Sequence, residues 1–466
     1  MATAEHVDTA ALNGLRDRFA GRVIARGDPP YDEARTVFNA MIDRRPAVIA
    51  QCENPADVAH AVRFGREQGL EIAVRGGGHS VAGMALTEGG IVVDLRRMRA
   101  VTVDPGAGTA RVAGGATMSD LDRAGEPYGL MTTGGRVSTT GVGGFTLGGG
   151  TGWLDRKFGL ACDNLLSVDL VTADGATVRA SDEENPDLFW ALHGGGGNFG
   201  VATSLTFRLH RLPSVTAALL FQDPEAGPGV LRGYRDFMAL APDEVGGGIL
   251  YATGPDEEFV PRHLVDRLTL VTVLVYAGPE PEARRVLAPL LDLGHQGELI
   301  AELPYAELQC LLDDPPGYRN YWSAEYLEAL PDEAVELFCA RATDMIVPSP
   351  SQHVLFPGGG AAGRGNSDYP LPWRHAAWVA HPFGLWADPA DDERGRKWAH
   401  DVRADLKPWS SGAVYLNFIG DEGRGRVIEG FGTEHYGRLG AVKAQYDPDN
   451  VFRRNHNIAP QPVIGM

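Results

Sequence analysis

Three glycine-rich runs in the first 201 residues constrain this chain more than any other feature. They read RGGGHSVAG (75–83), TTGGRVSTTGVGGFTLGGGTG (132–152) and HGGGGNFG (193–200). Glycine lets a backbone come close to a ligand, and consecutive N–H groups can cradle an anion. The runs have no fixed period, which excludes collagen and solenoid architectures. Their clustering predicts an extended, backbone-lined groove in the first half. His79, placed directly behind three glycines, could serve there as a ligand, a base or a point of attachment.

The remaining composition narrows the function class. A length of 466 residues predicts two domains, and 44% hydrophobic with 22% charged residues is ordinary globular content. A formal net charge of −19 argues against a nucleic-acid partner, whose binding depends on neutralising phosphates. No run approaches the ~20 apolar residues that span a bilayer, so no membrane partner is expected. The N-terminal MATAEHVDTAALNGLRDRF lacks a basic segment followed by an apolar one, and a cytoplasmic location is expected. Four cysteines (Cys52, Cys162, Cys310, Cys339) without a C-x-x-C pair give poor support to a metal cluster or a disulfide framework.

Along the chain, residues 47–80 read as strand, helix, strand and glycine loop, with Asn54 as N-cap and Pro55 at the first helical position. SVDLVTADGATVRAS reads as a hairpin about Asp174-Gly175. Ser181 and Glu184 stand at capping-box spacing before a short helix. After Pro213 amphipathic helices alternate with strands such as HLVDRLTLVTVLVYAG and HAAWVAHPFGLW, which predicts a second α+β domain. The expected division is 1–211, 212–425, and a 426–466 segment that returns to the first domain.

Several familiar motifs fail on context. Gly195–Gly200 matches G-x-G-x-x-G, but the order here is helix, loop, strand, whereas a dinucleotide fingerprint needs strand, loop, helix. No P-loop pattern exists. GHSVAG is one residue too long for a nucleophile elbow, which demotes Ser80 as a hydrolase nucleophile.

With RGGGHSVAG, GGFTLGGGTGWLDRKFGLACDNLLSVDLVTADG, LFWALHGGGGNFGVATSLTF and YDPDNVFRRNHNI in this order, the chain resembles the berberine-bridge-enzyme-like FAD-linked oxidases. The likeness covers almost the whole chain. One departure is Asn455-His456-Asn457-Ile458, where the family usually has N-Q-N-I. The resemblance implies an α+β, two-domain fold: a p-cresol-methylhydroxylase-type FAD domain and an antiparallel-sheet substrate domain. It also implies FAD bound covalently through His79 and, by a second bond, through Cys162. The FAD-contacting set implied alongside them is Arg75, Gly76, Gly77, Gly78, Ser80, Gly83, Ser138, Gly141, Gly143, Gly144, Leu147, Gly148, Gly149, Gly152, Val201, Asn455 and Asn457.

Tyr415 and Asn417, two apart in GAVYLNFIGDEG, would face one side of a strand. The resemblance makes Tyr415 the base over the flavin, although a phenol with a pKa near 10 is a poor base at neutral pH. Where the family often carries a carboxylate, this chain has SQHVLFPGGG; His353, Leu355 and Phe356 are expected substrate contacts, with Tyr251, Tyr321 and Trp322 as further candidates. Such a pocket is more apolar than a sugar would want. The expected activity is oxidation of a bulky, polycyclic natural product in a biosynthetic pathway, with O2 as electron acceptor. A carbohydrate oxidase is the alternative enzyme, and a flavin-binding module without turnover the alternative class.

Overall fold

The computed structural model describes residues 7–461. Two sheets organise the first half. In the first, strand Val48–Gln51 pairs antiparallel with Arg22–Ala25 and parallel with Ile91–Asp94, which in turn pairs parallel with Ile72–Arg75. The crossover is helix Pro55–Glu67. Asn54 Oδ1 accepts the Asp57 N–H at 3.0 Å to start this helix, and Val58, Ala61, Val62 and Phe64 bury one face. Asp57 itself accepts N–H groups from Ala20, Gly21 and Glu53, which fixes the helix start against the first strand.

The second sheet is antiparallel, in the order Val101–Asp104, Thr109–Ala113, Val201–Arg208, Leu165–Val171, Thr177–Ala180. Its last pair forms the hairpin expected about Gly175, whose φ of +78° suits glycine. Ser181 differs from its expected role. Its Oγ accepts the Glu184 N–H at 3.1 Å, but the following helix begins only at Pro186, so Ser181 closes a turn instead.

An eight-stranded antiparallel sheet builds the second half, running Gly297–Leu303, Val215–Gln222, Leu268–Tyr276, Val245–Thr253, Gln352–Pro357, Trp378–Trp386, Arg319–Trp322, with Glu325–Leu327 also on Trp378–Trp386. Every residue of Val215–Gln222 and of Trp378–Trp386 is buried, because both faces of the sheet are covered. Helices Gly227–Met238, Glu280–Leu291, Asp332–Arg341 and Asp392–Leu406 cover one face. The other face meets the first half through Met131, Trp153, Leu154 and Leu160.

The C-terminal helices Arg424–Phe431 and Thr433–Tyr446 share a core with the second sheet of the first half, through Val427, Phe431, Tyr436, Leu439 and Val442. Among the described residues no helix is long and apolar enough to cross a membrane.

Candidate active site

A cleft of about 360 Å³ runs between the halves. Its two ends differ chemically. One is backbone: Gly76–Ser80, Gly141, Gly143, Gly144 and Gly194–Asn198, closed by Arg454, Asn455 and His456. The other is mostly aromatic and aliphatic: Trp153, Leu250, Val354, Phe356, Trp322 and Phe383, with Tyr415, Asn417 and Phe418 facing them.

Two of the glycine loops touch backbone to backbone. A Cβ on Gly77 would lie 2.3 Å from the Gly141 nitrogen, and one on Gly141 equally close to the Gly77 nitrogen. Side chains there would force the loops apart. Gly144 and Gly197 are glycines for a different reason: a Cβ on either meets no protein atom within 4 Å, and Gly196, whose φ of +65° itself favours glycine, is equally open; all three line the cleft. Their backbones are bare toward the cavity, as a phosphate-bearing ligand requires. The cations on the cleft wall are Arg136 and Arg454. The buried Oδ1 atoms of Asn455 and Asn457 have no protein partner. Bare glycine backbone, the unpaired Asn455 amide oxygen and the Arg454 guanidinium fit a dinucleotide such as FAD.

The C-terminal segment clamps the 194–200 loop. Asn198 Nδ2 donates to the carbonyls of Gly195 (2.7 Å) and His456 (3.3 Å), and its Oδ1 accepts from Ile458 N–H at 3.0 Å. Beneath it, the fully buried Lys443 ammonium donates to Asn198 O, Asp447 Oδ2 and Phe452 O.

His79 stands at the junction of the two ends. Its ring stacks on Phe38 at 4.2 Å, and Nε2 shares a 2.9 Å hydrogen bond with Thr139 Oγ1. Burial lowers its pKa to about 4, so the imidazole is neutral at pH 7 and keeps a nucleophilic lone pair. Cys162 is not brought to this place. Its side chain is 0% exposed, it packs in the core behind the cleft with Trp153, Leu160 and Tyr415, and it does not line the cavity. Burial, and next the charge of Asp163, push its thiol well above the usual range, the opposite of what a reactive thiolate needs.

Tyr415 and Asn417 do not lie on a strand: Tyr415 precedes the 3₁₀ turn Leu416–Phe418. The turn nevertheless brings them together, with Asn417 Nδ2 donating to Tyr415 Oη at 2.8 Å. The same amide reaches the carbonyls of Gly144 and Phe145 at 3.3 Å. Gly148 makes room for it, since a Cβ there would sit 2.5 Å from Nδ2. Tyr415 Oη also accepts from Gly150 N–H at 3.2 Å. Burial pushes its pKa up despite these two donors, so the resting side chain is a neutral phenol.

Other expected FAD contacts divide. Ser80, Leu147, Gly148 and Asn455 line the cleft, whereas Asn457 does not. Arg75 turns away: it is fully buried, with Nη2 on Asp94 Oδ2 and Ala34 O, both at 2.6 Å. Ser138 is engaged by Asp313 through both its N–H and its hydroxyl. Gly83, Gly149 and Gly152 pack against Ile42, Trp373 and the Gly134 carbonyl, and Val201 lies in a core beneath the first sheet.

Of the expected substrate contacts on these strands Phe356 faces the cleft, and the others are displaced by one residue of strand parity. Tyr251, His353 and Leu355 point into the helix-covered core, where His353 stacks on Phe338 at 3.9 Å and Tyr251 Oη donates to Pro224 O. Their neighbours Leu250, Gln352, Val354 and Phe356 face the cleft. Trp322 is on the wall; Tyr321 instead bonds His400 Nε2 at 2.7 Å.

Several wall residues went unrecognised in the sequence: Arg136, Trp153, Asp314, Gln352, His381 and Arg454. Arg136, a lone charge inside a small-residue run, was the most legible signal. Its guanidinium lies 3.8 Å over the Phe356 ring and 5.2 Å over Trp153.

A groove of this kind, joined to an apolar pocket, fits an FAD-linked oxidoreductase, and the comparisons with known proteins agree on that class. The sequence profile of an FAD binding domain matches residues 46–181, and that of the berberine and berberine-like domain matches 414–459. The chain is 33% identical over 459 residues to (R)-6-hydroxynicotine oxidase of Paenarthrobacter nicotinovorans, covering 95% of this chain and 97% of that one. The crystal structure of 6-hydroxy-D-nicotine oxidase from Arthrobacter nicotinovorans superposes with a TM-score of 0.84 at 30% identity, covering 95% and 98% of the two chains. A chitooligosaccharide oxidase shares the fold at 23% identity, with a TM-score of 0.83 and coverage of 97% and 100%. The protein belongs to the berberine-like family of FAD-linked oxidoreductases.

Proposed function

We propose that the protein is an oxidase that carries FAD covalently on His79 and oxidises a bulky, largely apolar small molecule at the Tyr415–Asn417 end of the cleft. The observation that carries this reading is the arrangement of one continuous cavity: bare glycine backbone at one end, a neutral imidazole at the junction, and a hydrogen-bonded tyrosine–asparagine pair among aromatic walls at the other. When bound, FAD would supply the two-electron acceptor for the substrate hydride, with dioxygen as the terminal oxidant.

The chain's own residues bind, orient and handle protons. Both acceptor positions of Tyr415 Oη are filled by Asn417 and Gly150, so its own proton is the group left to meet a substrate heteroatom. Oxidation of a C–H beside an N–H or O–H removes a hydride and a proton, and Tyr415 orients that heteroatom by donating to it. To act as a base Tyr415 would first have to release its own proton to solvent; the two donors on Oη would stabilise that phenolate, which could then accept the substrate proton as the hydride leaves. Trp153, Val354, Phe356 and Phe383 keep water from the reacting end.

Attachment is read as through His79 alone, a reading supported by the burial of Cys162 behind the cleft. The aromatic wall favours a polycyclic substrate, as in secondary metabolism, over an oligosaccharide, and a cytoplasmic location belongs to the same reading. The test is peroxide formation by purified holoenzyme across a panel of polycyclic amines and alcohols and of chitooligosaccharides and cello-oligosaccharides. Turnover of the first group alone is expected; turnover of the sugars alone would transfer the assignment to a carbohydrate oxidase.

A further inference from the structure

The cleft wall carries one carboxyl that neither the FAD groove nor the Tyr415–Asn417 pair uses. Asp314 is 8% exposed and lines the cavity. Gln352, on the cleft face of its strand, donates from Nε2 to Asp314 Oδ1 at 3.0 Å. Among the described residues Oδ2 makes no hydrogen bond, and it is not sealed from the cavity as the fully buried unpaired atoms are. Asp313 anchors the loop by binding the N–H and hydroxyl of Ser138, next to the Thr139 that holds His79. The loop of the second half is thereby pinned across the cleft, and its next residue presents a carboxyl inside.

The surroundings specify what that carboxyl can receive. Gln352 lies opposite Phe383 in the sheet register, and Phe383 opposite Trp322, whose rings stack at 4.2 Å. A carboxyl beside aromatic faces is the combination that holds a substituted ammonium group, by charge on one side and by cation–π attraction on the other. A neutral sugar hydroxyl would leave the charge unmatched.

We propose that Asp314, oriented by Gln352, is the specificity-determining residue of the pocket and binds the protonated amine of a bulky aromatic substrate. This rests on the oxidase reading of the cleft and names its substrate class. Burial, and then the charge on Asp313, raise the Asp314 pKa to about 7, so the bare pocket holds this charge reluctantly and a cationic ligand relieves it.

The test is a titration of the yellow holoenzyme at pH 8, following perturbation of the flavin absorbance by tryptamine and by its neutral isostere indole-3-ethanol. The wild type should bind tryptamine about tenfold or more tightly than the alcohol, a preference of ~1.4 kcal/mol. Asp314→Asn should abolish that preference while leaving flavin content and thermal unfolding unchanged. Gln352→Leu should weaken tryptamine binding, with less effect on the alcohol. Equal affinities in the wild type, an unchanged preference in Asp314→Asn, or no perturbation by either probe would overturn the proposal. Failure of the oxidase reading itself would show earlier, as protein purified without flavin.

Discussion

The hydroxyl of Tyr415 accepts hydrogen bonds from Asn417 and from the Gly150 amide, yet burial keeps it protonated. Tyr415→Phe removes the proton and leaves the ring packing, including the Trp373 contact at 4.7 Å, in place. Flavin reduction should slow by ~10²–10⁴ in stopped flow, the span of a positioned proton-transfer group, with flavin still attached. A rate equal to that of the wild type would remove Tyr415 from the chemistry. The pairing with Asn417 was expected from strand alternation and from the resemblance, but a 3₁₀ turn and not a strand produces it. The place of Cys162 was not legible. A cysteine before a polar Asp-Asn pair looks accessible in one dimension, but Cys162 N–H bonds Gly149 O and its side chain turns into the core.

At the scale of the strand, parity decided the substrate wall. QHVLFP alternates between two buried faces, so hydrophobicity could not say which set of residues meets the cleft; only the sheet register places Val354 and Phe356 on one face and His353 on the other. His353 therefore has a structural role with a pH signature. Burial lowers its pKa to about 4, against about 6.5 in the unfolded chain, where imidazole is solvated. The unfolded state then binds more protons than the native state between these values, so this residue's contribution to stability is complete above pH ~6.5 and declines as pH falls toward 4. His353→Phe should flatten the acid limb of a denaturation profile by ~1–3 kcal/mol between pH 7 and 4. An unaltered limb would mean that His353 is already solvated in the native state.

The whole molecule places its chemistry where three pieces of chain converge: the glycine loops of the first half, the cleft face of the long sheet, and the returning C-terminal segment. The helix and strand texture, the loops and the C-terminal return were readable because glycine clusters and periodicity are local signals. The joining contacts were not readable, because Asp313–Ser138 and Lys443–Asn198 link residues 175 and 245 positions apart. Lys443→Ala would leave the buried Asp447 carboxylate unpaired and should cost about 3–5 kcal/mol in chemical denaturation, with weaker flavin retention in a His79→Ala background. A cost near zero would mean that water already reaches the pair.

The central claim is that the cleft holds FAD through His79, with Cys162 outside the reaction. Acid denaturation followed by intact mass of wild type, Cys162→Ala and His79→Ala tests it most directly. The flavin mass should stay on wild type and on Cys162→Ala and be lost from His79→Ala. Flavin released from the wild type, or retained by His79→Ala, would contradict it.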